Sequence, residues 1–398
     1  MTQRPPTEIV VSYDAPPAIG GAHQWLYEVY RRWAAPVTLL ARPPVGDADE
    51  IARVRAFDAA PHGAVRFERT LVPVPPLSLT GVAGWRAVAS HLRSIRRVAA
   101  PGAPVRVHAR CVVPDGLVGA LHKQLHRSTT LVTYAHGEEV TVFRSSRLLS
   151  WLASYTYRAS DLVIANCENT RRVVSELCPE ARIAVVHPGV DPSQYACSQD
   201  DVRATRRGFG WPEGTFVLAT VARMEARKNQ AGVIRAVARL RSEGRPVAYV
   251  CAGGGPEKER LQALARELGI ADLVRFPGVV SDREKALTFA ACDVHVMASV
   301  DAEGTFEGFG MVFIEAAAAG VPSIAGATGG QREAVLEEIT GLVVDGNDAD
   351  GLAAAIRRLV DDPALRARMG QEGRRWAMEH DWSAVVEQTR RLLDDDAR

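Results

Sequence analysis

At 398 residues the chain is too long for one ordinary hydrophobic core and points to two domains. It is 47% hydrophobic and 24% charged, with no stretch near the roughly 18 apolar residues of a membrane span, which excludes disordered and membrane-spanning classes. The net charge of +1 conceals +6 over residues 1–198 and −5 over 199–398, too mild for a nucleic-acid footprint. The six cysteines are scattered without a Cys-x-x-Cys, so neither a disulfide framework nor a zinc site is indicated. Residues 1–9 hold Pro5-Pro6 and then a strand rather than a basic and apolar leader, and a cytoplasmic location is expected.

Glu8 to Tyr13 reads as a buried strand, followed by a turn-rich loop ending in Gly20-Gly21 and a helix over 22–33 with Trp25, Leu26, Val29 and Trp33 on its apolar side. Strand, glycine loop and helix open a doubly wound sheet. The Gly-x-Gly-x-x-Gly fingerprint and its ribose-binding acid are missing, which disfavours a nicotinamide enzyme. Strands follow at 37–41 and 64–67, then a helix over 81–99 with Trp85, Val88, Leu92, Ile95 and Ala99 on one side and Arg86, Arg93 and Arg97 on the other. Such a helix either lies on an anionic membrane surface or presents a solvated basic face.

A strand over 104–110, a helix over 115–126 and a strand over 129–134 lead to Ala135-His136-Gly137-Glu138-Glu139. A histidine just past a strand's carboxyl end stands where open α/β sheets bind ligands, or is structural. A helix at 148–158, strand 161–165, helix 168–177 and strand 182–186 close the first array. His187 to Asp201, with two prolines and a glycine, reads as a linker.

The alternation restarts at 215–222. Directly after that strand, Arg223 and Lys228 are spaced so that both could grip one diphosphate, unless they are ordinary surface cations. Helix 229–242 and strand 247–252 precede Gly253-Gly254-Gly255-Pro256, a loop suited to backbone contact with a phosphate. Helix 256–268, strand 273–276, helix 282–291 and strand 293–297 lead into Asp301 to Gly320. There Glu303 and Glu307 flank Gly308-Phe309-Gly310, which opens an apolar helix carrying Glu315. Glycines and a helix start seat an anion, while neighbouring carboxylates would repel it; together they suit a ligand anionic at one end and hydroxyl-rich at the other, a nucleotide sugar. Strands at 321–325 and 341–344 and helices near 348–361, 363–378 and 382–393 complete the chain. Two βα arrays of similar length imply two doubly wound domains facing each other across a ligand cleft.

The chain resembles the retaining glycosyltransferases of family 4, which have the two-domain GT-B fold. The resemblance rests on Gly20-Gly21, His136-Gly137, the 161–166 strand end with Thr170-Arg171, Gly189-Val190-Asp191, Arg223 and Lys228, Gly253 to Pro256, Phe276-Pro277-Gly278-Val279, and above all Glu307-x7-Glu315. The stretches around His136 and Glu307 look most like the bacterial phosphatidylinositol-mannoside mannosyltransferases. The resemblance implies an acceptor-binding domain over 1–189, a nucleotide-sugar domain over 190–378, and a helix over 379–398 crossing back to the first. It implies that Glu307 holds donor-sugar hydroxyls and Glu315 the ribose, while Arg223 and Lys228 neutralise the diphosphate. Gly20, Gly21, Gly253, Gly254, Gly255, Gly308, Phe309 and Gly310 would lie against the donor, Pro277 and Val279 near the base, and His136 at the transferring sugar. Ala298-Ser299 and His187-Pro188 depart from the usual pattern in supporting loops.

The expected activity is transfer of a hexose from GDP-mannose or a UDP-hexose to a lipid-linked, glycan or small-molecule hydroxyl. No Asp-x-Asp appears at a strand end and the cations could replace a metal, so a metal-independent, α-retaining transfer without a cofactor is expected. Two other readings stand beside it: a catalytically silent sugar-nucleotide-binding protein, and a nucleotide-sugar epimerase on the same fold. Partners would be the donor, the acceptor and, through the 81–99 helix, the inner membrane face.

Overall fold

The computed structural model describes residues 5–18, 20–72, 81–100, 102–137, 143–144, 146–302 and 304–394. Glu138, Glu139 and Glu303 therefore lie outside the described residues. The chain divides into two compact units, Met1–His187 with Trp382–Arg398, and Pro188–Asp381.

Unit 1 is built on seven parallel strands: β1 (Thr7–Val11), β2 (Val37–Ala41), β3 (Val65–Arg69), β4 (Val105–Ala109), β5 (Thr129–Ala135), β6 (Leu162–Ala165) and β7 (Ile183–Val185), in the order β3-β2-β1-β4-β5-β6-β7. Ile9, Val10 and Val11 are fully buried, as a strand covered on both faces requires. Ile9 pairs with Thr38 on one side and Val107 on the other. The helices are α1 (Gly21–Tyr30), α2 (Ala48–Ala59), α3 (Val82–Val98), α4 (Leu117–Leu125), α5 (Arg147–Ala159) and α6 (Glu168–Leu177). The last helix of the chain, Trp382–Asp394, also belongs here. It buries Trp382, Val385, Thr389 and Leu393, one helical face, and packs on α1.

Unit 2 carries six parallel strands, β8 (Phe216–Val221), β9 (Val247–Ala252), β10 (Val274–Gly278), β11 (Val294–Met297), β12 (Ser323–Gly326) and β13 (Gly341–Val344), in the order β10-β9-β8-β11-β12-β13. Its helices are α7 (Gln199–Gly208), α8 (Gln230–Ser242), α9 (Lys258–Glu267), α10 (Asp282–Ala291), α11 (Met311–Ala318), α12 (Gln331–Ala334), α13 (Ala349–Asp361) and α14 (Pro363–Glu379), so the Trp382 helix becomes α15. Val233, Ile234, Val237 and Leu240 of α8 meet Leu352, Ile356 and Leu359 of α13 in one core over β8 and β9. Each such side chain contributes about 1.5–3 kcal/mol by leaving water.

Two expectations need correction, and one helix lies where no element was expected. Residues 187–201 are not a plain linker: Asp191 caps a 3₁₀ turn at Pro192–Tyr195, and Ser198 caps α7. Helix α2 was not anticipated, because it buries only Val54 and has almost no apolar stripe. In α3, Trp85 was placed on the apolar side, but the buried stripe runs Gly84, Ala87, Val88, His91, Ser94 and Ile95, leaving Trp85 44% exposed beside Arg86.

In each sheet the strand order reverses once, between β1 and β4 and between β8 and β11. Open α/β sheets bind ligands outside the carboxyl ends of strands at such a point. In unit 2 that rule singles out the loops 222–229 and 298–310.

Candidate active site

The loop after β8 is held rigidly. Asn229, in the left-handed conformation at φ 55°, caps α8 by accepting from the Gly232 amide, and its side-chain amide donates to the carbonyls of Ala298 (3.1 Å) and Gly346 (2.7 Å). The Gln230 side chain donates to the Arg223 carbonyl, and the Val300 amide to that of Arg227. The loops after β8 and β11 are thereby joined.

Between these anchors runs an alternating chain of charge. Arg223 Nη1 lies 3.2 Å from Glu225 Oε1, and Arg227 Nε lies 3.1 Å from Glu225 Oε2. Arg227 Nη1 then donates to Glu307 Oε2 at 2.7 Å, and Lys228 Nζ donates to the same oxygen. Lys228 and Glu307 are each 8% exposed, whereas the Arg223 side chain is 69% exposed. Burial pushes the Glu307 carboxyl up, but the charges of Lys228 and Arg227 and their hydrogen bonds outweigh it and hold it below the ordinary range. Beside them His295 is pressed down to about 3 by burial and by the Lys228 charge, so it is neutral.

The backbone around Glu307 is equally constrained. Its carbonyl accepts from the Gly330 amide, and a Cβ on Gly329, at φ +64°, would stand 2.1 Å from that oxygen. Gly308 leads to Phe309, whose ring is buried and stacks on Trp376, so its side chain serves the core. Gly310, at φ +83°, opens α11. One turn on, Glu315 is buried and accepts from Lys285 Nζ at 2.8 Å, and its charge adds to burial in raising the pKa of the Tyr195 phenol. Burial lowers the Lys285 pKa, but the Glu315 charge more than compensates and raises it.

The structure brings Lys228 and Glu307 into direct contact and puts Arg223 on the same loop, facing Glu225 rather than Glu307. The glycines at 253–255 have an immediate reason in the packing of their own loop. A Cβ on Gly253 would meet the Ala222 carbonyl at 2.0 Å, and one on Gly255 the Met224 carbonyl at 2.4 Å. Their loop is packed on residues 222–224, with the Gly253 amide donating to Gly278. Gly254 sits against Val279, which is 64% exposed at the carboxyl end of β10 beyond the exposed Pro277.

In unit 1 the corresponding edge holds Gly20 at the start of α1, exposed Gly21, and His136 just beyond β5. The His136 Nε2 bonds the Arg110 carbonyl at 2.8 Å, its ring meets Trp25 edge-on, and its carbonyl accepts from Asn166. Asn166 in turn accepts from Thr170, which accounts for two of the motif residues. Among the described residues no three His, Cys, Asp or Glu side chains gather as a metal cluster.

Sequence reasoning missed Glu225, Arg227, Lys285 and Tyr195. Arg227 and Glu225 were legible only as part of a charged run. Lys285 and Tyr195 lie 30 and 120 residues from Glu315, a separation no local pattern bridges.

Two family profiles match the chain, "Glycosyltransferase Family 4" over residues 19–194 and "Glycosyl transferases group 1" over 201–376. Over 387 residues it is 32% identical to a GDP-mannose-dependent alpha-(1-6)-phosphatidylinositol monomannoside mannosyltransferase of Mycobacterium tuberculosis, with 92% of each chain covered. The chain belongs to glycosyltransferase family 4. This glycosyltransferase is also 27% identical over 409 residues, 98% of each chain, to a GDP-mannose-dependent monoacylated alpha-(1-6)-phosphatidylinositol monomannoside mannosyltransferase of Corynebacterium glutamicum. Its fold is that of Anabaena HepE, solved in complex with UDP and glucose (TM-score 0.80, 21% identity, 98% and 99% covered). It is also that of a sucrose-phosphate synthase from Thermosynechococcus elongatus (TM-score 0.81, 22% identity, 98% and 99% covered). The two parallel α/β units are those of a GT-B enzyme that uses a nucleotide sugar.

Proposed function

We propose that this glycosyltransferase moves mannose from GDP-mannose to a hydroxyl of a glycolipid head group, with retention of the α configuration and without a metal. The observation that carries the donor assignment is the buried Lys228–Glu307–Arg227 cluster at the reversal point of the second sheet. Arg223 and Lys228 neutralise the diphosphate, Glu307 orients the sugar and Glu315 takes the ribose, with Gly254, Pro277 and Val279 near the base. Gly308 and Gly310 offer backbone to the sugar and phosphate. In unit 1, the edge with Gly20, Gly21 and His136 serves the acceptor. The C1–O bond to the diphosphate breaks as the acceptor oxygen bonds C1 on the same face, and the acceptor's proton passes to the departing phosphate oxygen. Fixed cations near that oxygen stabilise the charge as it develops. The preference for mannose and a lipid acceptor rests on the relatives' names.

A panel of GDP-, UDP- and ADP-sugars, with and without phosphatidylinositol mannosides, tests this by nucleoside diphosphate release. The expected result is acceptor-dependent release from GDP-mannose, unchanged by EDTA, with an α-linked product. Donor binding without turnover would support a silent binding protein instead. No described helix is long and apolar enough to cross a membrane. Contact with a membrane surface is assigned to α3 and α5, where exposed Trp85, Leu148 and Trp151 stand among Arg86, Arg93 and Arg147. Co-sedimentation with anionic but not neutral vesicles is the expected outcome.

A further inference from the structure

Glu225 occupies an unusual place in the charge chain. It precedes the 3₁₀ turn at Ala226–Lys228, yet its side chain caps nothing there. Instead its two oxygens are divided between two guanidiniums, at 3.2 Å from Arg223 and 3.1 Å from Arg227. Two oxygens of one anion shared between two arginines is also how a phosphate bridges such a pair. Both contacts are longer than the 2.7 Å between Arg227 and Glu307, and longer than the best charge-assisted bonds. Glu307 is buried in its pairings, whereas the Glu225 side chain is 21% exposed and can swing into solvent. Of the two carboxylates, Glu225 is therefore the displaceable one.

We propose that Glu225 is a built-in stand-in for a phosphate: it keeps Arg223 and Arg227 spread to receive a diphosphate, competes with it for them, and so limits how tightly the enzyme retains its nucleoside diphosphate product. The inference rests on the reading of loop 222–229 as the diphosphate seat, and it adds Arg227 as a third cation there. With Glu225 in place the five side chains from Arg223 to Glu307 carry three positive and two negative charges. Displacing its carboxylate leaves a local excess of two positive charges, which a diphosphate matches. Such a competitor matters most after transfer, when the diphosphate has lost its sugar, gained charge and would otherwise hold the arginines more tightly.

The test is calorimetric titration of the full-length protein with GDP and with UDP, which needs no turnover. Glu225→Gln keeps the shape and removes the charge, and is expected to tighten binding about two- to five-fold, the upper part of the range of one partly exposed charge contact. The gain should shrink in 0.5 M salt as screening sets in. Glu225→Asp, which keeps the charge, should restore affinity close to wild type, and Arg227→Met should weaken binding more than ten-fold. Wild-type binding with Glu225→Gln unchanged or weaker overturns the inference alone, because Glu225 would then only hold the arginines in place. Unaltered binding in Arg227→Met also overturns it. A wild-type protein that binds neither nucleotide overturns the donor-site reading and this inference with it.

Discussion

Lys228 and Glu307 offer a sharp thermodynamic test, because each is 8% exposed and they share a charge-assisted bond. Removing one member of a buried ion pair typically costs about 3–5 kcal/mol, since a charge is left behind in a poor solvent. Lys228→Met leaves Arg227 at 2.7 Å from the same oxygen, so its cost should fall at about 2–3 kcal/mol. Glu307→Gln strands two cations and should cost about as much. The double variant should lose less than the two single losses combined, by about 2 kcal/mol. The pH dependence has a definite sign. Glu307 has its carboxyl held below the ordinary range, so its pairing stabilises the fold above that range and the benefit is lost as pH falls through the lowered value. The gap between wild type and Lys228→Met should be largest near pH 7 and should narrow below the ordinary glutamate value of about 4.3. Urea unfolding followed by tryptophan fluorescence at pH 7.5, 5.5 and 4 measures both. Strictly additive single variants, or a gap that ignores pH, would refute the claim that these two groups are energetically coupled.

Glu307→Ala should cut donor turnover by about 10²–10³-fold with the circular dichroism spectrum preserved; near-normal rates would remove Glu307 from the site. Lys285→Met should raise the donor KM more than it lowers kcat, because Glu315 loses the cation that fixes it, and Lys285→Arg should recover most of the loss. Gly253→Ala forces a Cβ to 2.0 Å from the Ala222 carbonyl at φ +133°, and should destabilise unit 2 by about 3 kcal/mol or more, seen as a lowered Tm.

Most of the sheet architecture was legible because parallel strands buried on both faces read as continuous apolar runs, as in Ile9 to Val11 and Phe216 to Val221. Helix α7 was not, because it buries no residue and its ten residues carry no apolar run. Lys228 and the Glu307 stretch were both readable as lying after the carboxyl ends of strands in the second sheet, and the strand order then brings those two loops to its reversal point. What the pattern could not supply was pairing. Arg227 looked like one more cation in a charged run, yet its guanidinium links Glu225 to Glu307. The triple glycine shows a second demand that a glycine run does not spell out: the carbonyls of Ala222 and Met224 are close enough to require Gly253 and Gly255 by themselves. Trp85 showed that a helical wheel drawn from hydrophobicity alone cannot tell which of two neighbouring stripes faces the sheet.

Unit 1 is discontinuous: its α1 surface is covered by α15, encoded after the whole of Pro188–Asp381. During synthesis the second unit can close as soon as it leaves the ribosome, whereas the first must wait for residue 394, with the seat of Trp382, Val385 and Leu393 open until then. A chain stopped near residue 380 would present that apolar seat to its neighbours and to the cell's quality-control machinery, with its second unit already closed.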